Sequence, residues 1–221
     1  MIRSYRQFSG QNLARLAALS DGIFAVAMTL LVLGIHVPAA TVMQAEQPLW
    51  TGGSWQSEAQ LLNTLAPLGP QLLTYFMSFL TLGIFWAGQQ TQLNQFARSD
   101  HRLTWIHLAF LLAVVLMPFS TSFLAGYITY RLPMAIYWLN LLMLGLLLFI
   151  SLTYATRAGL MSPETTREMI AASRRRIIVY QLLYFAACLL CVINTYVAIG
   201  ALVLLQLNSV VLPPIRPLNR F

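Results

Sequence analysis

Six apolar runs govern what this chain of 221 residues can fold into. A helix needs about 20 mostly apolar residues to cross the hydrocarbon core of a bilayer. Charged residues make up only 9% of the chain, whereas a water-soluble domain carries about 25%. We therefore predict an all-α polytopic membrane protein, a single transmembrane domain over residues 1–221 with six spans. The predicted spans are residues 16–37, 72–89, 103–127, 135–155, 177–193 and 196–212.

The arginines predict the orientation of these spans. All 13 basic residues are arginines, and they lie near the ends of the apolar runs. With six spans, every arginine except Arg131 falls on the side of the N-terminus, and such an excess marks the cytoplasmic side. We therefore expect both termini in the cytoplasm and no nucleic-acid partner. A cleaved signal peptide is disfavoured, because run 16–37 is longer than the roughly 7–15 apolar residues of such a signal.

The connections between the runs carry weaker patterns. In the longest cytoplasmic connection, residues 156–176, the order Ser162-Pro163-Glu164 predicts the start of a short linker helix along the membrane surface. A tight turn at Asn194 separates the last two runs. The outer loop, residues 38–67, contains Trp50 and Trp55 and is either an interfacial loop with aromatic anchors or part of an external mouth.

Catalytic chemistry is not indicated by this sequence. No metalloprotease, nucleophile-elbow or P-loop pattern occurs, so we expect no enzymatic activity and no cofactor. Cys188 and Cys191 lie in an apolar run without a second pair of soft ligands, which favours a packing role. Asp21 is a carboxylate near the cytoplasmic end of the first span, and it serves either as a structural polar clamp or as a proton relay.

The first span has the sharpest pattern in the chain. Val26, Thr29, Leu30 and Leu33 recur at helical spacing and share one face. In a lone bundle this face is part of the core. If several subunits met along it, the same face would line a narrow apolar pore that gates by dewetting. Periodicity alone leaves both interpretations open.

A resemblance to a known family extends over most of the chain. Arg15 followed by Leu19-Ser20-Asp21 resembles the R-x-x-x-F-S-D motif of the transmembrane protein 175 family of potassium channels. The next residues, G-I-F-A-V-A-M-T-L-L-V-L, are similar to the pore helix of that family. The resemblance continues in S-F-L-T-L-G-I-F-W, which ends at Trp86, and in residues 105–121.

The resemblance implies a potassium channel that is a homotetramer in the bacterial inner membrane, with a pore lined by the first helix of each subunit. It implies passive flow of K⁺ through apolar rings and a threonine layer on that helix. The rings would be Val26, Leu30 and Leu33, and the threonine near which K⁺ passes would be Thr29. The residues that hold the pore helix in place would be Arg15, Ser20, Asp21 and Trp86.

Three positions depart from the family pattern. Leu19 replaces the phenylalanine of the motif and loses aromatic packing. Gln89 stands where the family often has a histidine, so a histidine-linked polar network is not expected here. Val26 is smaller than the usual isoleucine or leucine and predicts a wider constriction. Two other functions remain open: a proton-coupled secondary carrier or exporter that uses Asp21, and a membrane scaffold without transport.

Overall fold

The computed structural model describes residues 13–37, 50 and 54–210, and these are helical apart from short turns and links. The first 12 residues and the last 11, which include Arg216 and Arg220, lie outside the described residues. The helices are α1 (Leu13–Val32), α2 (Ser54–Leu65), α3 (Leu68–Asn94), α4 (His101–Val115), α5 (Met117–Gly126), α6 (Arg131–Arg157), α7 (Arg167–Leu189) and α8 (Thr195–Val210), with a 3-10 turn at Leu190–Val192.

Five of the six predicted spans are helices long and apolar enough to cross a bilayer. They are α1, α3, α4 together with α5, α6, and α7 together with the 3-10 turn. The sixth is shorter, since its apolar part runs over Thr195–Ser209. The predicted end of that run at residue 212 lies outside the described residues. The protein is thus an all-α membrane protein.

The first span ends earlier than predicted. The run 16–37 predicts a helix up to Val37, but α1 ends at Val32 and a turn follows at Leu33 and Gly34. Here Gly34 packs closely against Ser122. Beyond the turn, the backbone N–H of His36 donates to Gln71 Oε1 at 2.8 Å. From the apolar composition alone, the helix would be expected to continue to Val37. Instead, this segment makes contacts with α3 and α5.

Helix α3 holds the bundle together. It contacts α1, α5, α6 and α8, while α6 also packs against α4, α5 and α7. The larger core cluster is built on fully buried side chains such as Met77, Leu82, Leu141 and Leu144. The third span is divided into two helices, because α4 ends at Val115 and α5 begins at Met117 with Pro118 in its first turn.

The two ends of the bundle differ in charge. At one end, Arg131 donates to the carbonyl oxygen of Val192 at 3.1 Å, so α6 begins where α7 ends. At the other end, the Gln95 amide donates to Ser173 Oγ at 3.3 Å. We call this second end the arginine end. Every arginine of the described residues other than Arg131 belongs to it: Arg15, Arg98, Arg102, Arg157, Arg167, Arg174, Arg175 and Arg176.

The link between α6 and α7 corrects a prediction. Gly159 has a positive φ of 67°, and the Leu160 N–H bonds the Ala155 carbonyl at 3.0 Å, which closes α6 with a Schellman motif. The N–H of Ser162 then donates to Gln95 O at 2.8 Å, which holds this segment in a turn against the end of α3. Thr166, not Ser162, caps the next helix by accepting from the Met169 N–H at 3.2 Å.

A separate linker helix is therefore absent from this link. Helix α7 runs without a break from Arg167 to Leu189 and includes most of the predicted fifth span, whose last residues lie in the 3-10 turn and just after it. The tight turn at Asn194 is confirmed, since its side-chain oxygen accepts from the Tyr196 N–H at 2.8 Å and caps α8. In the outer loop, residues 54–65 form α2 rather than an irregular segment, and its Trp55 is exposed.

Candidate ion-conduction surface

One face of α1 is apolar and uncovered in the single chain. Val26 is 57% exposed, Leu30 41% and Leu33 69%. The other face packs inward through Leu16, Phe24 and Ala27. The interpretation of this face as part of the core of a lone bundle is therefore wrong for Val26, Leu30 and Leu33. Leu33 lies in the turn just beyond the helix end.

A shallow depression of about 390 Å³ follows the same face. Its lining includes the small residues Ala18 and Gly22 together with the larger Leu19, Val26 and Leu30. Val115, the last residue of α4, closes one side. Because no Cβ is present at Gly22 and nothing lies within 4 Å of where one would be, another helix has room to approach α1 closely.

Thr29 is the polar residue in the middle of this face. Its hydroxyl donates to the carbonyl oxygen of Val26, one turn earlier, at 2.8 Å. The proton of the hydroxyl is thus committed to the helix backbone, while the side chain itself is exposed. Since a hydroxyl oxygen has two lone pairs, Thr29 presents acceptor capacity on the outward face and no free donor.

Asp21 is held by two donors from α3. Trp86 Nε1 donates to Asp21 Oδ1 at 2.7 Å, and Gln90 Nε2 donates to the same oxygen at 2.6 Å. Hydrogen bonds to an ionised acceptor are shorter and stronger than neutral ones. The carboxylate therefore fixes the rotation of α1 against α3 near the arginine end. Arg15 is exposed and lies six residues earlier on the same helix.

Ser20 extends this contact into the interior. Its hydroxyl donates to the Leu16 carbonyl at 2.8 Å and accepts from Gln89 Nε2 at 2.9 Å. Both side chains are fully buried. The departure at Gln89 therefore does not abolish the polar contact, because an amide donor takes the place of an imidazole. We call Ser20, Asp21, Trp86, Gln89 and Gln90 the polar clamp.

Apolar contacts fix the rest of α1. The rings of Phe24 and Phe110 lie 6.0 Å apart, which attaches the middle of α1 to α4. At the far end, the close approach of Gly34 to Ser122 attaches it to α5. The helix is thus anchored along its whole inward face, and the stripe of Val26, Thr29 and Leu30 is presented outward by a rigid support.

Two polar features escape sequence analysis. Gln90 belongs to the polar clamp, but only the adjacent glutamines in an apolar run hint at this. A second group, the polar cluster, lies buried between α3, α5, α6 and α8. There Tyr137 Oη lies 3.0 Å from Thr81 Oγ1 and 3.3 Å from Ser78 Oγ, Gln206 donates to Thr81 at 2.7 Å, and Thr121 donates to Ser78 at 2.7 Å.

Metal chemistry finds no support in the part of the chain that the structure describes. No three His, Cys, Asp or Glu side chains come together there as ligands. Cys188 and Cys191 are free thiols at the end of α7. What the arrangement offers chemically is an apolar surface with the single hydroxyl of Thr29.

Comparison with known proteins gives a consistent picture. A family profile described as "Endosomal/lysosomal potassium channel TMEM175" matches residues 15–118. A potassium channel of Streptomyces collinus is 32% identical over 167 residues, which is 73% of this chain and 74% of the relative. A potassium channel of Chamaesiphon minutus is 26% identical, over 84% of this chain and 87% of the relative.

The fold has a counterpart among solved structures. The crystal structure of a lysosomal potassium-selective channel TMEM175 homolog from Chamaesiphon minutus superposes with a TM-score of 0.69 at 25% identity. The superposition covers 89% of this chain and 95% of that one. The fold of this chain is therefore similar to the fold of that channel.

Proposed function

The chain belongs to the TMEM175 family, and from this premise we propose that it is a potassium-permeable channel through which ions flow passively. The names of the bacterial relatives support potassium as the permeant ion. The observation that carries the proposal is the outward apolar face of α1 with Thr29 at its centre, held rigidly by the polar clamp.

The pore forms between four identical subunits that meet along α1. In support of this, the face is uncovered in the single chain and its small residues permit close approach. Val26, Leu30 and Leu33 become apolar rings around the axis. The homotetramer itself is inferred from the family, and the exposed face is where it would assemble.

Hydration limits the flow at these rings. An ion that enters an apolar constriction sheds part of its water, and oxygen ligands must replace that water. The Thr29 hydroxyl suits this role, because its proton is bonded to the Val26 carbonyl and its lone pairs remain available. Four such oxygens would favour a cation and would not attract an anion.

We place the channel in the bacterial inner membrane with the arginine end in the cytoplasm. The arginines gathered at that end support this orientation under the positive-inside rule. Helix α8 serves as the short sixth crossing, which brings both termini to the cytoplasmic side. Arg15, Ser20, Asp21 and Trp86 are support residues for the pore helix.

Flux into liposomes tests the function. Purified protein is reconstituted, and K⁺ and Na⁺ uptake are compared without a proton gradient. We expect passive K⁺ uptake that exceeds Na⁺ uptake. Uptake only under a proton gradient, and its loss in Asp21→Asn, would replace the channel with a proton-coupled carrier. No uptake under either condition would indicate a scaffold.

A further inference from the structure

A second concave surface lies away from the outward face of α1. It is an open groove between α3, α6, α7 and the end of α8, with a cavity volume of about 100 Å³, and no residue of α1 lines it. On α7 its lining follows one face of the helix, from Ser173 through Ile177 to Tyr184. Nothing in the proposed conduction mechanism uses this groove.

The exposed surface of the groove is mostly apolar, and two glycines line it. Phe85, Leu148 and Ile177 form its walls, and Gly88 lies on its α3 side. Gly145 lets the side chain of Gln181 lie directly against α6, where a Cβ would collide with it. Gln181 then donates to the Leu141 carbonyl at 3.1 Å, so its amide is bonded to α6.

The groove opens at the arginine end beside a positive charge. Arg176 lines it and is exposed, with its guanidinium 5.9 Å from the centre of the Tyr180 ring. Ser173 stands one turn earlier on the same face. No acidic residue occurs among the described residues that line the groove, so the charge of Arg176 is not neutralised within it.

We propose that this groove binds an anionic phospholipid from the leaflet at the arginine end. The phosphate lies beside Arg176, and one acyl chain follows the apolar walls towards Tyr184. A free phosphate would make no contact with the apolar walls, and a lipid without net charge would gain less from the charge of Arg176. Basic openings between transmembrane helices on the cytoplasmic side are established sites for anionic headgroups.

Competition between two lipids tests the headgroup. Purified protein is equilibrated in detergent with equal amounts of phosphatidylglycerol and phosphatidylcholine of the same acyl chains, and the bound lipids are measured by mass spectrometry. We expect wild type to retain more phosphatidylglycerol. Arg176→Gln should lower the ratio of the two bound lipids about fivefold, the effect of one basic residue at an anionic surface.

The matched control is Arg175→Gln, which removes the same charge from the neighbouring position outside the groove. The ratio should change less than for Arg176→Gln. An equal fall in both variants, or a wild-type ratio of one, would overturn the site in favour of general surface attraction.

A second pair of variants tests the apolar walls. In Gly88→Leu a side chain enters the groove, and we expect less of both bound lipids. Gly200→Leu makes the same change in α8, outside the groove and in open space, and should retain them. If Gly88→Leu and Arg176→Gln both leave bound lipid at the wild-type level, the lipid does not bind in this groove and the proposal fails. None of these outcomes depends on ion flux.

Discussion

The outward face of α1 and the polar cluster around Tyr137 distribute polarity in opposite ways. The face exposes Val26 and Leu33 and carries one hydroxyl, at Thr29. The cluster buries five polar side chains to 5% exposure or less and connects them through hydrogen bonds. A water-soluble protein would bury the apolar side chains and expose the polar ones.

The difference follows from the solvent. In lipid, apolar side chains gain nothing by leaving the surface, so helices associate through close packing and interhelical hydrogen bonds. The polar cluster therefore specifies how α3, α5, α6 and α8 pack within the subunit. The face of α1 lacks such bonds and stays available for lipid or for another copy of the chain.

Making the outward face polar should produce the largest effect. In Leu30→Asn an amide enters the apolar ring and wets it, and we expect K⁺ flux in liposomes to rise about tenfold, which corresponds to a barrier lower by about 1.4 kcal/mol. Leu204→Asn makes a similar change on an exposed part of α8 and should leave flux unchanged. Equal flux in both variants would remove Leu30 from the pore.

Removing one hydroxyl from the polar cluster should produce the second-largest effect. Tyr137→Phe removes the hydroxyl that bonds Ser78 and Thr81, and each interhelical bond in a membrane protein contributes about 0.6 kcal/mol. We expect the free energy of unfolding in detergent to fall by about 1 kcal/mol. Tyr127→Phe changes an exposed tyrosine and serves as the control. Equal stability of the two variants would show that the cluster does not hold the helices.

Weakening the polar clamp should have a smaller effect on stability. Trp86→Phe removes one donor to Asp21 and leaves Gln90 in place, so we expect a loss of about 0.5 kcal/mol in the same unfolding measurement. Trp105→Phe removes an indole N–H that donates to His101 on its own helix and should cost less. A larger loss in the control would contradict the role of Trp86 as an anchor of α1.

Removing the Thr29 hydroxyl from the outward face of α1 should produce the smallest effect. Thr29→Ala removes the hydroxyl from the outward face, and we expect a lower K⁺-over-Na⁺ ratio while total K⁺ flux stays within about twofold of wild type. Thr29→Ser keeps the oxygen and should retain the ratio. If alanine and serine behave alike, the hydroxyl layer has no part in selecting the ion.

The spans were the most predictable part of the fold. Apolar length is a local property, so the runs locate α1 and α3 to α7 directly. Helix ends were less predictable because distant partners decide them. Helix α1 ends at Val32, close to the point where Gly34 contacts Ser122. Helix α7 starts only at Arg167 because the backbone carbonyl of Gln95 accepts the N–H of Ser162 and holds the preceding segment in a turn. No local pattern contains these partners.

The candidate surface was predicted in part. The face shared by Val26, Thr29 and Leu30 follows from helical spacing, but spacing does not say whether it is covered, and the packing of α1 leaves it uncovered. The contact of Asp21 with Trp86 was suggested by the resemblance. Gln90 was missed because the rotation of α3 decides which of two adjacent glutamines reaches the carboxylate.

The turn after α6 has a consequence for the order of folding. Its backbone bonds from Ala97 to Leu160 and from Ser162 to Gln95 join parts of the chain that are made far apart in time. The early helices therefore enter the membrane with the end of α3 unpaired. These groups can find their partners only after the segment around Ser162 has been synthesised, so the link between α6 and α7 completes the end of α3.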